Sequence, residues 1–303
     1  MNIRLHLLSV IFILTACSKS IHPQQLLNDV KELSSDKYQG RKTGTEGNKM
    51  AAEYIIKRFE ELKLRSFNNS YKQPFSFRHD KKDISGVNIF GYIPGKSEEV
   101  FIISAHYDHI GVVNKQVYNG ADDNASGVAG LLSIAKYFSK HQPEHTLIFA
   151  AFDAEEMGFQ GAKAFVAKPP VSLEEIKLNV NLDMISRADK GELFAAGAAH
   201  YPELKKHLIT TNNKVKLILG HDDPKQGRDD WTNQSDHAVF HKKQIPFIYF
   251  GVEDHPDYHR PTDDFAKIDQ ETFRNCVDII REVIENLDKN ISIQSIFREK
   301  VRM

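Results

Sequence analysis

An α/β fold whose sheet gathers its strand ends along one polar edge is what this sequence predicts, on two observations. Four apolar, strand-like runs each give out at a histidine or a carboxylate, and the segment between the first two carries apolar residues at helical spacing. In open α/β sheets, ligands bind outside the carboxyl ends of the strands. A sheet of that kind would bring His106, Glu155, Glu156, Asp183, His255 and His259 toward one edge.

The elements follow in chain order. After a short tether, Leu26, Leu27, Val30 and Leu33 mark a helix, and Met50, Tyr54, Ile55, Phe59 and Leu62 mark a second over 48–64. EVFIISAHYDH is β-branched and aromatic from Val100 to Ile103, then breaks into His106-Tyr107-Asp108 as a buried strand does on reaching its loop. In GADDNASGVAGLLSIAKYF, Asn124 can cap a helix whose apolar positions are Val128, Leu131, Leu132, Ala135 and Phe138, so Asp122 and Asp123 stand just before a helix start. An acidic pair there can simply complement the helix dipole. TLIFAAFDAEEMG runs apolar from Leu147 to Phe152 and then meets Asp153, Glu155 and Glu156. Alternation through Leu178, Val180 and Leu182 delivers Asp183, and a strand over 245–252 enters a polar loop with His255 and His259. The last helix, over 268–287, turns Phe273, Val277, Ile280, Val283 and Ile284 to one face.

Taken singly, these polar residues are ordinary loop and surface groups. Together, His106, Asp122, Glu156, Asp183 and His259 supply the imidazoles and carboxylates of a hydrolytic two-zinc centre, and the chain has further carboxylates from which a base could come. A hydrolytic metalloenzyme is therefore the leading expectation.

HYDH, GADDNASG, DAEEMGFQGA, NLDMI and DYHRPTDD, in that order, resemble the successive motifs of the co-catalytic zinc aminopeptidases, the peptidase family M28 that includes bacterial leucine aminopeptidases, aminopeptidase Y and aminopeptidase S. GRKTGTEGNKMAAEYIIKRFEELKL and VNIFGYIPG look like that family's opening helix and first hairpin, so the likeness extends over about residues 36–288. It implies one domain: a mixed, mostly parallel sheet with helices on both faces. It also implies two Zn2+ ions, with Asp122 shared, Glu156 and His259 completing one site, and His106 and Asp183 completing the other. Glu155 matches the general base, and Asp108 the carboxylate that would hold His106 in its tautomer. The family's cis peptide corresponds to Asp122-Asp123. The implied substrates are peptides with a free amino terminus. Two related activities stay open: a glutaminyl cyclase, which uses one zinc, and a carboxypeptidase, for which Arg187, Arg228 and Arg260 could supply a guanidinium.

A chain of 303 residues, 41% hydrophobic and 27% charged, can bury a sizeable core, and a net charge of -1 gives no reason to expect nucleic acid or an anionic membrane as partner. Residues 1–16 read as a signal peptide, with basic MNIRLH, apolar LLSVIFIL and a small-residue end. Leu14-Thr15-Ala16-Cys17 resembles a bacterial lipobox, which implies lipid attachment at Cys17 and anchoring in the cell envelope, with the outer membrane favoured. Residues 17–35 are then tether and first helix, and 36–303 the catalytic domain. Cys276 is left as a buried, unpaired thiol. His79, His141, His145, His200, His207, His221 and His241 show no partner pattern and read as surface residues. The polar stretch 220–237, with Trp231 and Ser235-Asp236-His237, is a candidate wall of the substrate pocket.

Overall fold

The computed structural model describes residues 23–291; the leader and Cys17 lie outside them. Helix α1 (Pro23–Leu33) and helix α2 (Glu46–Glu61) precede a hairpin of β1 (Lys72–His79) and β2 (Lys82–Ile93). Strand β3 (Val100–His106), the small ribbon of β4 (Gly111–Val113) and β5 (Gln116–Tyr118), and helix α3 (Gly127–Phe138) follow. Next come β6 (Thr146–Phe152), α4 (Gln160–Ala167), β7 (Ile176–Leu182), β8 (Glu192–Ala196), β9 (Lys216–Leu219), α5 (His237–Lys242), β10 (Phe247–Gly251) and α6 (Gln270–Asn290).

Eight strands form one sheet in the order β1-β2-β6-β3-β7-β10-β8-β9. Its centre, β6-β3-β7-β10, is parallel, while β2 against β6 and β8 against β10 are antiparallel. The sheet is thus mixed and mostly parallel at its core, as the sequence predicts.

Side-chain alternation explains why helices cover both faces. On β3 and β6, Phe101, Ile103, Ala105, Leu147, Phe149 and Ala151 face a core shared with α1, α2, α3 and α6. Their neighbours Ile102, Ile148, Ala150 and Phe152 face a second core with Phe165 of α4 and Phe240 of α5. Phe165 meets Phe90 and Phe152 edge-on at 5.3 and 5.4 Å.

The alternation read in β7 has a polar half that is buried as well. Asn179 donates to Ser104 Oγ at 2.8 Å, Ser104 donates to Asn181 Oδ1 at 2.7 Å, and Asn181 donates to Ser235 Oγ at 3.0 Å. Buried amides are tolerated there because Ser104 and Ser235 hydrogen-bond to them, although Asn179 Oδ1 has no partner.

The structure departs from the expectations at three points. The last core strand is shorter, Phe247–Gly251 rather than 245–252. Asn124 does accept a capping bond, from the Gly127 amide at 2.9 Å, but α3 begins only at Gly127, after an irregular π-type turn over Ala121–Ser126. His145 and His207 are buried rather than surface residues, and His145 Nδ1 lies 3.1 Å from Asp288 Oδ1 of α6. Cys276 is buried and unpaired, as expected. Among the described residues no helix is long and apolar enough to cross a membrane.

Candidate metal centre

Because β6, β3, β7 and β10 are parallel neighbours, the loops that leave them open on the same edge of the sheet. His106 is the last residue of β3 and Asp183 the first beyond β7, so His106 Nε2 comes to 3.2 Å from Asp183 Oδ1. The turn after β6 brings Glu155 and Glu156, and the loop after β10 brings His255 and His259.

Two groups of ligand-type atoms result, each with all its atoms within 4.8 Å of one another: His106, Glu155 and Asp183, and His109, Asp123 and Glu156. Asp123 stands between them. Its Oδ1 is 3.4 Å from His106 Nε2, and its Oδ2 is 3.1 Å from His259 Nε2 and 3.6 Å from His109 Nδ1. His259 Nε2 is also 3.5 Å from Glu156 Oε2.

Asp122 does not take this position, and the sequence expectation for it is corrected. Its Oδ1 accepts from the Ser186 amide and hydroxyl, each at 2.7 Å, and from Ser126 Oγ at 3.2 Å, while Oδ2 lies 3.1 Å from His255 Nε2. Both oxygens are engaged by these partners, and Asp122 is in neither group. The irregular turn sets which acid points inward. Asp263 accepts the amides of Asp122 (3.0 Å) and Asp123 (3.0 Å), and Asn124 donates to Leu182 O at 2.9 Å. The cis peptide likewise joins Asp123 to Asn124, one residue beyond the expected bond.

Asp108 has a broader part than expected. His106 Nδ1 lies 3.2 Å from the Asp108 carbonyl and 3.7 Å from its carboxylate. The carboxylate itself accepts the amides of Glu155 (3.0 Å) and Glu156 (3.3 Å), which fixes the turn that presents both glutamates.

Beneath the loops lies Arg41, which motif reading passed over. Its guanidinium is fully buried and donates to four carbonyls: Leu33 (2.7 Å), Tyr107 (2.8 Å), Asn119 (2.6 Å) and Gly120 (2.8 Å). It ties the His106–His109 loop to the turn that carries Asp123. Burial pulls its pKa down to about 10, opposed by Asp123, Asp263, Asp108 and Glu156, so it stays cationic at neutral pH. Asp153 is a further buried partner, accepting from Thr43 Oγ1 (2.8 Å), Asn48 Nδ2 (3.0 Å) and the Val87 amide (2.9 Å). Burial, with the Asp108 charge beside it, pushes its carboxyl up to about 7.

Charge is finely divided across the site. Burial would raise Asp123, yet His109, His106 and His259 hold it well below the usual carboxylate range. Burial would lower His106, yet Asp183 and Glu155 hold it well above the usual imidazole range. Burial drives Glu155 well above its ordinary value, opposed by His106 and reinforced by Asp183 and Asp236. Asp236 is fully buried with neither oxygen hydrogen-bonded, so the Ser235-Asp236-His237 triplet underlies the centre instead of walling a pocket.

Asp123, Glu155, Glu156, Asp183 and His259 open onto a cleft flanked by Phe159, Met184 and Tyr258. Ala154, Phe159, Met184 and His259 hold φ between 53° and 59°. Such left-handed non-glycine residues cost of order 1–3 kcal/mol each and cluster at functional sites.

The donor set fits zinc, since imidazoles and carboxylates on a rigid edge are its usual ligands. Buried atoms without a hydrogen-bond partner support the fit: His109 Nδ1 and Glu156 Oε1 lie 2.8 Å apart and neither is hydrogen-bonded. Buried polar atoms without a hydrogen-bond partner are consistent with a cation that both would ligate.

Known proteins place this geometry in a wider setting. Aminopeptidase YwaD of Bacillus subtilis is 27% identical over 239 residues, 74% of this chain and 46% of YwaD. The chain spans less than two thirds of the length of the curated relatives it matches. In fold it is similar to an aminopeptidase from Aneurinibacillus sp. strain AM-1 (TM-score 0.72, 18% identity, 90% of this chain and 97% of that one). It is also similar to Porphyromonas gingivalis glutaminyl cyclase (TM-score 0.71, 16% identity, 87% and 98%). The profile of Peptidase family M28 matches residues 88–284, a span that contains every ligand-type residue of the centre. The chain therefore belongs to peptidase family M28.

Proposed function

We propose that this chain is a two-zinc aminopeptidase that removes the amino-terminal residue of peptides. The observation that carries the proposal is the place of Asp123, a buried carboxylate with one oxygen toward His106 and the other toward His259. In this reading His106 and Asp183 would hold one ion, Glu156 and His259 the other, and Asp123 would be a ligand of both. Zinc would supply Lewis acidity and a water acidic enough to attack at neutral pH.

The chain's own groups do the rest. Glu155 takes the proton of the attacking water and returns it to the leaving amine, and burial favours a carboxyl that must hold a proton between those two events. Asp108 keeps Glu155 in place through its amide. Glu156 and Asp183 face the cleft and attract the substrate's α-ammonium group.

Arg187, weighed as a carboxylate anchor, is paired with Asp189 at 2.8 Å and Asp257 at 2.9 Å, which favours amino-end over carboxyl-end recognition. The retained His106 and Asp183 favour a two-ion hydrolase over a one-zinc cyclase. An assay of free and N-acetylated aminoacyl-nitroanilides and dipeptides tests the reading: cleavage of the free forms alone is expected. Carboxyl-end cleavage of blocked peptides would point to a carboxypeptidase, and pyroglutamate formation without hydrolysis to a cyclase.

The tetrad Leu14-Thr15-Ala16-Cys17 supports lipid attachment at Cys17 and a place in the bacterial cell envelope, on the outer membrane. Fatty-acid labelling that is lost in Cys17→Ser is the expected result.

A further inference from the structure

His109 is surplus to the ligand set proposed above. Its side chain is fully buried, and its Nδ1 lies 2.8 Å from Glu156 Oε1 and 3.6 Å from Asp123 Oδ2. Despite that proximity, neither ring nitrogen of His109 and not Glu156 Oε1 has a hydrogen-bond partner. At 2.8 Å a correctly directed hydrogen bond would have formed. The ligand atoms of His109 and Glu156, with a carboxylate oxygen of Asp123, lie within 4.8 Å of one another, close enough to share one cation.

The chain is shaped to keep the ring there. The His109 amide donates to the Arg41 carbonyl at 3.4 Å, so the buried arginine anchors its backbone. Gly120, at φ 55°, lies against the ring, and a Cβ on it would stand 2.5 Å from His109 Cδ2. Only glycine leaves room for the imidazole. The ring of His259 lies 5.9 Å from that of His109 at 63°.

We propose that His109 is an additional protein ligand of the ion held by Glu156, Asp123 and His259. That ion would then have four protein ligands, two nitrogens and two oxygens, which fills a tetrahedral zinc site and leaves no open position. The ion at His106, Asp123 and Asp183 has three and keeps an open position, as catalytic zinc sites do. The two sites are therefore unequal: the His109 side is filled first and retained longest, and the His106 side exchanges. This rests on the two-zinc reading, and the experiment separates the two.

Zinc is removed from the full chain by chelation and returned in a titration against a chromophoric chelator, for the native protein and for His109→Phe, whose ring keeps the volume. Two unequal steps are expected in the native protein. In the variant the tighter step should weaken by at least the roughly 10–100-fold that loss of even a supporting partner costs a metal site, with the weaker step unchanged. Native uptake of two ions with both affinities unaltered in His109→Phe overturns the inference and leaves the two-zinc reading standing. Failure of the native protein to take up a second ion defeats both. If His109→Phe does not fold, ring-15N spectra of the native protein decide: three imidazoles perturbed by two zinc equivalents support the inference, and two refute it.

Discussion

Replacing Arg41 by methionine tests how the centre is held together. Methionine keeps most of the apolar stem and removes the guanidinium, leaving the carbonyls of Leu33, Tyr107 and Asn119 without a donor in a fully buried setting, while Gly120 O keeps the Ala125 amide at 3.2 Å. An unsatisfied buried acceptor costs about 1–3 kcal/mol, so the three together cost about 3–9 kcal/mol if nothing relaxes. Water entering the gap moves the cost toward the low end, about 3 kcal/mol. Against a total stability of about 5–15 kcal/mol for a domain, this takes the protein to the edge of unfolding. The buried cation also offsets Asp108, Asp123, Glu156 and Asp263, so its removal sharpens their mutual repulsion. Urea unfolding followed by the fluorescence of Trp231, the only tryptophan, measures the loss. Arg41→Lys should fall between, because one ammonium cannot reach four separate carbonyls. A methionine variant within about 1 kcal/mol of the native protein would refute the argument that these four bonds knit the loops.

Glu155→Gln should keep its zinc and lose about a hundredfold to ten-thousandfold in turnover, the usual weight of a general base; loss of zinc instead would reverse the roles given to Glu155 and Glu156. Asp123→Asn should weaken both ions together, because one oxygen of Asp123 faces each group. Asp122→Asn should leave two zinc equivalents after dialysis and show its cost as lower thermal stability, since an amide nitrogen replaces one of two buried acceptors, Oδ1 facing Ser126 and Ser186 or Oδ2 facing His255.

Most of the fold was legible because burial on both sheet faces leaves apolar runs that stop where the strand stops. That is how His106, Glu155, Glu156 and Asp183 could be placed at strand ends from the text alone. The choice between Asp122 and Asp123 was not legible. Both are acidic, both precede the helix, and only the irregular turn and the Asp263 carboxylate that holds its amides decide which points inward. His109 sat in the quoted motif HYDH unassigned, since a histidine three residues past a ligand reads as loop until its burial is seen. Arg41 gave no sequence signal at all: its partners are backbone carbonyls, which any residue supplies. Asp236 was read as pocket wall because its neighbours in sequence are polar, whereas the core closes over it.

The central claim is that two ions share Asp123, and anomalous diffraction at the zinc edge from zinc-loaded crystals tests it most directly. The account predicts two peaks per chain, one beside His106 and Asp183 and one beside Glu156 and His259, with the Asp123 carboxylate between them. A single peak, or a pair flanking Asp122, would contradict it.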